Sequence, residues 1–378
     1  MSAQRASVGS AAPGFHPPPY PYERLDRLKP LATHDGGLVD LSIGTPCDPP
    51  PAAVRRALAD SDTERGYPPS IGSPALRAAA SRWMARRLGV EIDPDAVAAC
   101  VGTKELVATV PSWLKLRTPA RDTVLHPAVA YPTYEMGALL AGCRPVPVAV
   151  DDQWRLRLDS IAAADAERAL CLWVNSPGNP TGAIDDLGAA AAWGRAHGVP
   201  VFSDECYVEF TWEGTRRTIL EHGQDGVVAV HSLSKRSNLA GVRAGFYAGD
   251  PELVGYLAEV RKHVGMMVPG PVQAAATVAL DDDRHVEEQR ARYRERIDLM
   301  VGVLDAIGVK APSPAGTFYL WVEAPEGDAW AFAERLLREG GALVAPGDLY
   351  GAAGAGHVRI ALVQPSDRLE LVRKRLTA

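Results

Sequence analysis

The sequence predicts an α/β protein with a large unit on a mostly parallel sheet and a smaller α+β unit beside it. Two observations carry that expectation. Between about 50 and 280, short apolar runs alternate with Ala-rich or amphipathic stretches, the pattern of buried strands joined by helical crossovers. Near 281 the alternation gives way to one long helical repeat, then to two strand-like runs flanking a helix. At 378 residues, 47% apolar and 23% charged, the chain can bury a sizeable core and divide into two or three units.

Each element follows in order. Residues 1–20 are rich in Ser, Ala, Gly and Pro and bury too little surface to offset their ordering entropy. They predict a flexible arm. Residues 21–47 are expected to pack with the small unit, 48–282 to form the large unit and 283–378 the small one. The strand runs are Val97–Val101, Asp122–Leu125, Pro145–Val150, Leu170–Val174, Val201–Ser203 and Val227–Val230. Leu187–His197 reads as an intervening helix. Asp281–Ile307 carries Val286, Tyr293, Ile297, Met300, Leu304 and Ile307 on one face of a long helix. Thr317–Val322 and His357–Leu362 read as strands, with the helix Ala329–Glu339 between them. No internal repeat is visible.

Composition excludes several functions. With 40 basic and 46 acidic residues the net charge is −6, and the basic residues sit among acids, as in 287–296. That argues against nucleic acid or an anionic membrane as partner. Five cysteines without a CxxC pair argue against a disulfide scaffold or a metal site. The first 25 residues lack a signal-like apolar stretch, and no apolar run approaches about 18 residues. A cytoplasmic protein is expected. There is no Gly-Lys pair, GxSxG or HExxH, and the glycines at 351, 354 and 356 have the wrong spacing for a dinucleotide site.

The chemistry lies in four features. Asn179-Pro180-Thr181-Gly182 follows one predicted strand, and Asp204-Glu205-Cys206-Tyr207 follows the next. Ser232-Leu233-Ser234-Lys235 ends a third, with Arg243 eight residues on. Open α/β sheets bind ligands at such carboxyl ends. Singly these are a turn, an N-cap and a surface lysine. Together they fit pyridoxal phosphate. A lysine can hold it as a Schiff base, and a carboxylate can keep its ring nitrogen protonated. Tyrosine and asparagine can bond its phenolic oxygen, while serine, arginine and a helix N-terminus can hold its phosphate.

The motifs NSPGNPTG (175–182), SDECY (203–207), SLSKRSNLAGVRAG (232–245) and HVRIAL (357–362) resemble those of the class I/II aminotransferases. The resemblance runs from about Asp40 to the C-terminus and implies the fold type I architecture of pyridoxal-phosphate transferases. It implies that Lys235 is the Schiff-base lysine and the base that moves the substrate proton. Asp204 would pair with the pyridine nitrogen, Tyr207 and Asn179 would bond the phenolic oxygen, and Ser232 and Arg243 would contact the phosphate. Gly102-Thr103-Lys104, opening the helix Glu105–Leu114, resembles the family's phosphate cup. Tyr131 resembles the aromatic residue stacked on the pyridine ring, which leaves Tyr134 to core packing. Cys206 is expected to pack inward. Arg359 matches the arginine that grips the substrate α-carboxylate, with Asn179 and Gly44 beside the substrate. Tyr67 resembles a tyrosine that reaches the neighbouring subunit's phosphate, implying a homodimer with shared sites.

Four further stretches, 102–108, 130–142, 261–273 and 345–351, are similar to the N-succinyldiaminopimelate aminotransferases of lysine and peptidoglycan-precursor synthesis. That likeness implies amino exchange between glutamate and N-succinyl-2-amino-6-ketopimelate. An aspartate- or aromatic-preferring aminotransferase and a β-lyase of the same fold stay open. A decarboxylase fits less well, because Arg359 would hold the carboxylate that has to leave. A ligand-sensing module of a transcription regulator would carry a DNA-binding domain, whereas only about 40 Pro-rich, non-basic residues precede the resemblance.

Overall fold

The computed structural model describes residues 14–63 and 65–378, so most of the arm expected over 1–20 lies outside the described residues. Strand β1 (Val39–Asp40) precedes the large unit, which opens with helices α1 (Ala52–Ala59) and α2 (Pro74–Leu88). The unit continues through β2 (Val97–Cys100), α3 (Thr103–Arg117), β3 (Thr123–Pro127), α4 (Thr133–Leu140) and β4 (Arg144–Val148). Next come α5 (Ala163–Arg168), β5 (Ala169–Asn175), α6 (Leu187–His197) and β6 (Val201–Asp204). It ends with β7 (Val227–Ser232), α7 (Leu233–Arg236), β8 (Gly245–Gly249), α8 (Pro251–Val264) and α9 (Gly270–Asp281).

The strands form one seven-stranded sheet in the order β2-β8-β7-β6-β5-β3-β4. Strands β2, β3, β5, β6 and β7 are buried throughout, because helices cover both faces. Side chains alternate between the two layers. Leu172, Val174 and Phe246 join Trp83 on one face, whereas Trp173, Phe202 and Tyr247 join Leu253 on the other. Edge strand β4 carries Pro145 and Pro147, which an edge tolerates. The parallel expectation holds from β4 across to β7 but stops there. Strand β8, whose glycine-rich residues gave no apolar signal, runs antiparallel to both β7 and β2.

Helix α6 covers the predicted Leu187–His197, with Asp186 capping its start by accepting from Ala189 N at 2.8 Å. The long helix expected over 281–307 is present, beginning three residues later and ending one residue earlier. Helix α9 ends at Asp281 and α10 (Arg284–Ala306) begins after Asp282 and Asp283.

The small unit adds β9 (Tyr319–Glu323), α11 (Ala329–Gly340), β10 (Ala342–Leu343), β11 (Ala345–Pro346), β12 (His357–Ala361) and α12 (Ser366–Leu376). Strands β11, β12 and β9 form an antiparallel sheet, and β1 pairs parallel with β10. Leu25, Leu28 and Val39 share a core there with Ile297, Phe332, Leu336 and Leu369. Between the units lies an aromatic cluster of Tyr207, Phe210, Tyr293, Phe318 and Tyr319. Beside it, Glu209 is buried to 2% exposure and accepts from Trp83 Nε1 at 2.8 Å and from Arg87 Nη2 at 2.8 Å. Arg216 and Arg236 stand 3.1 and 3.6 Å from the same carboxylate. Among the described residues, no helix is long and apolar enough to cross a membrane.

Candidate active site

Strands β5, β6 and β7 are neighbours, so their carboxyl ends present Asn175, Asp204 and Ser232 side by side. Local hydrogen bonds then aim the following residues. Asn175 Nδ2 donates to the Asp204 carbonyl at 2.8 Å, and its Oδ1 accepts from Asn179 N at 2.8 Å. That pins the 175–182 turn to β6 and holds Asn179 at the sheet edge.

A cavity of about 490 Å³ opens over these ends. The structure brings Thr103, Lys104, Tyr131, Asp204, Ser232, Lys235 and Arg243 onto its wall. Gly44, Asn179, Tyr207 and Arg359 face it from the other side. Tyr67 is not brought there by this chain and is 97% exposed.

One end of the cavity suits an anion. Gly102 precedes α3 with φ +74° and ψ 147°, a conformation that only glycine adopts readily. A Cβ there would stand 2.1 Å from Arg243 Nη2, so the missing side chain is what lets the guanidinium lie against the helix start. Arg243 is itself left-handed, at φ +63°, and is anchored by Nη1 donating to the Ala240 carbonyl at 2.7 Å. Ser232 caps α7 by accepting from Ser234 N at 3.1 Å. Free N–H groups of α3, two serines and Arg243 converge there, as a phosphate requires. Ser234 was missed from sequence, as a serine beside an already assigned lysine.

At the centre, Lys235 donates from Nζ to the Gly44 carbonyl, with the Tyr207 and Phe318 rings 6.0 Å away. Burial lowers its pKa to about 8. Asp204 is 7% exposed, and burial pushes its carboxyl up against the pull of its hydrogen bonds and of the Lys235 cation. Its Oδ1 accepts from Cys206 N at 3.2 Å and its Oδ2 from Tyr134 Oη at 2.8 Å. Two residues expected to pack do more than pack. Tyr134 does pack, stacked on Trp173 at 5.2 Å between ring centroids, but its hydroxyl also holds Asp204 and it lines the cavity. Cys206 is buried beside Tyr207, Phe210 and Phe318, as expected. It also lines the cavity, with Sγ 3.3 Å from Thr103 Oγ1, because the chain leaves strand geometry at Asp204. A buried tyrosine hydroxyl needs a partner, and that was the one cue available for Tyr134.

At the far wall, Arg359 is 2% exposed. Nη1 donates to Asn179 Oδ1 at 2.8 Å, Nη2 donates to the Ser42 carbonyl at 2.5 Å, and buried Nε has no partner. Among the described residues no carboxylate lies within ion-pair distance of it. Its guanidinium instead lies 4.2 Å from the Tyr319 ring centroid, 4.8 Å from Tyr350 and 5.8 Å from Tyr22. Tyr20, Tyr22 and Tyr319 also line the cavity, and none was singled out from sequence.

These residues fit pyridoxal phosphate. The glycine cradle against Arg243 would receive a phosphate and the buried Asp204 carboxylate a ring N–H, with Lys235 on the same cavity wall. Comparison with known proteins bears directly on the assignment. The family of class I and II aminotransferases matches over residues 37–376. The chain belongs to that family.

This aminotransferase is therefore an enzyme dependent on pyridoxal phosphate, with the fold its sequence predicted. It is 43% identical to the 4-dedimethylamino-4-oxo-anhydrotetracycline transaminase OxyQ of Streptomyces rimosus, over 95% of this chain and 99% of that one. It is 36% identical to the LL-diaminopimelate aminotransferase of Aquifex aeolicus, over 93% and 94% of the two chains. A solved structure from Thermus thermophilus, described as a probable N-succinyldiaminopimelate aminotransferase, superposes with a TM-score of 0.84 at 35% identity, covering 94% of this chain and 99% of that one.

Proposed function

We propose that this aminotransferase moves an amino group between glutamate and N-succinyl-2-amino-6-ketopimelate, as a cytoplasmic homodimer in diaminopimelate and lysine synthesis. The observation that carries an α-amino acid substrate is the buried Arg359 guanidinium, which lacks a carboxylate partner and faces the cavity that holds Lys235 and Asp204. The likeness to LL-diaminopimelate aminotransferases supports the diaminopimelate role, and the Thermus structure described as a probable N-succinyldiaminopimelate aminotransferase supports the succinylated acceptor.

When bound, pyridoxal phosphate supplies a ring that draws electrons from the substrate Cα–H bond. The chain supplies the rest. Arg359 and Asn179 grip the α-carboxylate and fix the Cα–H direction. Asp204, held by Tyr134 and Cys206 N, keeps a proton on the ring nitrogen. Tyr207 and Asn179 hold the phenolic oxygen. Lys235 Nζ, its pKa lowered by burial to about 8, would be the base that takes the Cα proton. Thr103, Ser232, Ser234, Arg243 and the start of α3 hold the phosphate.

A second reading rests on a separate observation. Tyr20, Tyr22 and Tyr131 line the cavity, and OxyQ is named for a ketone of the tetracycline skeleton. An aromatic ketone would stack on such a mouth.

The test follows the visible absorbance of the holoenzyme. Glutamate is expected to bleach the band, and the keto acid that restores it names the acceptor. N-succinyl-2-amino-6-ketopimelate, oxaloacetate, phenylpyruvate and a polycyclic aromatic ketone are compared at equal concentration. Fastest restoration by the first is expected. Restoration by phenylpyruvate alone marks an aromatic-preferring aminotransferase, and restoration only by a polycyclic aromatic ketone favours the second reading. Pyruvate and ammonia released from an amino acid with a β-leaving group, without an acceptor, indicate β-elimination.

A further inference from the structure

Resting on the aminotransferase reading, we infer that Tyr319 is a positioning residue that acts through Tyr207 on the cofactor's phenolic oxygen and ties that oxygen to Arg359. Tyr319 opens β9 in the small unit, and Tyr207 follows β6 in the large one. Their hydroxyl oxygens are 2.8 Å apart, and both side chains are buried. The Arg359 guanidinium lies over the Tyr319 ring, 4.2 Å from its centroid. Space for the hydroxyl is kept by a third residue, since a Cβ on Gly44 would stand 1.9 Å from Tyr319 Oη. An arginine, a glycine and a tyrosine from three separate segments thus converge on Tyr319.

The direction of the hydrogen bond follows from counting protons. A phenol has one proton to give. The bound cofactor's phenolic oxygen, as an anion, only accepts, so Tyr207 directs its proton there. The contact with Tyr319 is then a hydrogen bond only if Tyr319 donates. That donation polarises the Tyr207 O–H and strengthens its hold on the anionic oxygen. The guanidinium over the ring makes Tyr319 a better donor, and a carboxylate bound to Arg359 reduces that field. Substrate occupancy is thereby felt at the phenolic oxygen. When that oxygen is held less firmly, the nitrogen joining Lys235 to the cofactor keeps its proton more tightly. The other titratable and charged groups facing the pair are Lys235, Cys206, Arg359, Tyr22 and Tyr350.

The experiment is a pH titration of the visible band in the holoenzyme. Tyr319→Phe is expected to raise its midpoint by roughly half a unit to one unit, about three- to tenfold in proton affinity. In a Tyr207→Phe background the same change should add nothing. An unmoved midpoint in Tyr319→Phe, or an equal shift in both backgrounds, overturns the inference. A visible band in Tyr319→Phe shows at once that the pocket is intact. Absence of any band in the wild-type protein supplied with pyridoxal phosphate would instead overturn the aminotransferase reading itself.

Discussion

Arg359 is a buried cation whose compensation is incomplete. Two oxygen acceptors and three aromatic rings surround it, and one buried N–H points at nothing. An arginine held this way pays in stability for a readiness to bind, because unpaired charge inside a protein is costly. Arg359→Gln is therefore expected to lower kcat/KM for glutamate roughly ten- to a hundredfold, the worth of a lost charge-assisted hydrogen-bond pair. The same variant should melt no lower than the wild type. Steady-state kinetics beside thermal unfolding checks both halves, and a variant that loses stability along with activity would speak for a structural arginine. Lys235, Asp204 and Arg359 were legible in sequence through their motifs, Lys235 and Asp204 because they follow predicted strand ends in order and Arg359 because HVRIAL resembles the family's strand. Tyr134 and Tyr319 were not, because a tyrosine in an apolar run reads as packing. Only a partner 70 or 112 residues away shows what the hydroxyl does.

Glu209 ties several elements together. Its carboxylate joins Trp83 and Arg87 of α2, Arg236 of α7 and the Arg216 loop, directly behind the strand ends that carry Asp204 and Lys235. Burial alone would push its carboxyl up, but Arg236 and Arg87 outweigh it and hold the group at about 2, below the ordinary 4.5. The sign follows: the stabilisation is complete above about 4.5 and is lost as pH falls towards about 2. Glu209→Gln is expected to cost about 3–5 kcal/mol at neutral pH, since it leaves buried arginines unpaired. Urea unfolding of both proteins should show that gap narrowing with acid. A gap unchanged by pH would assign the loss to packing. At this scale the sheet was legible where strands are buried on both faces, as β5 and β6 are. Strand β8 was not, because its glycines serve backbone approach: a Cβ on Gly249 would stand 2.2 Å from the Val227 carbonyl oxygen. The boundary between α9 and α10 was legible, since the pattern changes near 281, where α9 ends.

For the molecule as a whole, the proposed dimer turns on Tyr67. Tyr67 stands 97% exposed on the loop before α2, touching nothing that would explain a large aromatic side chain in water. Sedimentation equilibrium is expected to give a dimer, and Tyr67→Phe to weaken cofactor binding without dissociating it. A stable monomer with full activity would remove Tyr67 from the site. The way the small unit is assembled has a consequence for how the protein is made. Residues Val39 and Asp40 pair with Ala342 and Leu343, which are translated some three hundred residues later. At bacterial synthesis rates that interval is roughly 15–60 s. The large sheet can close as it emerges, but the leading segment waits, with Leu25, Leu28 and Val39 uncovered, until the last strands leave the ribosome. During that interval the nascent chain displays an apolar segment that a holding chaperone would recognise.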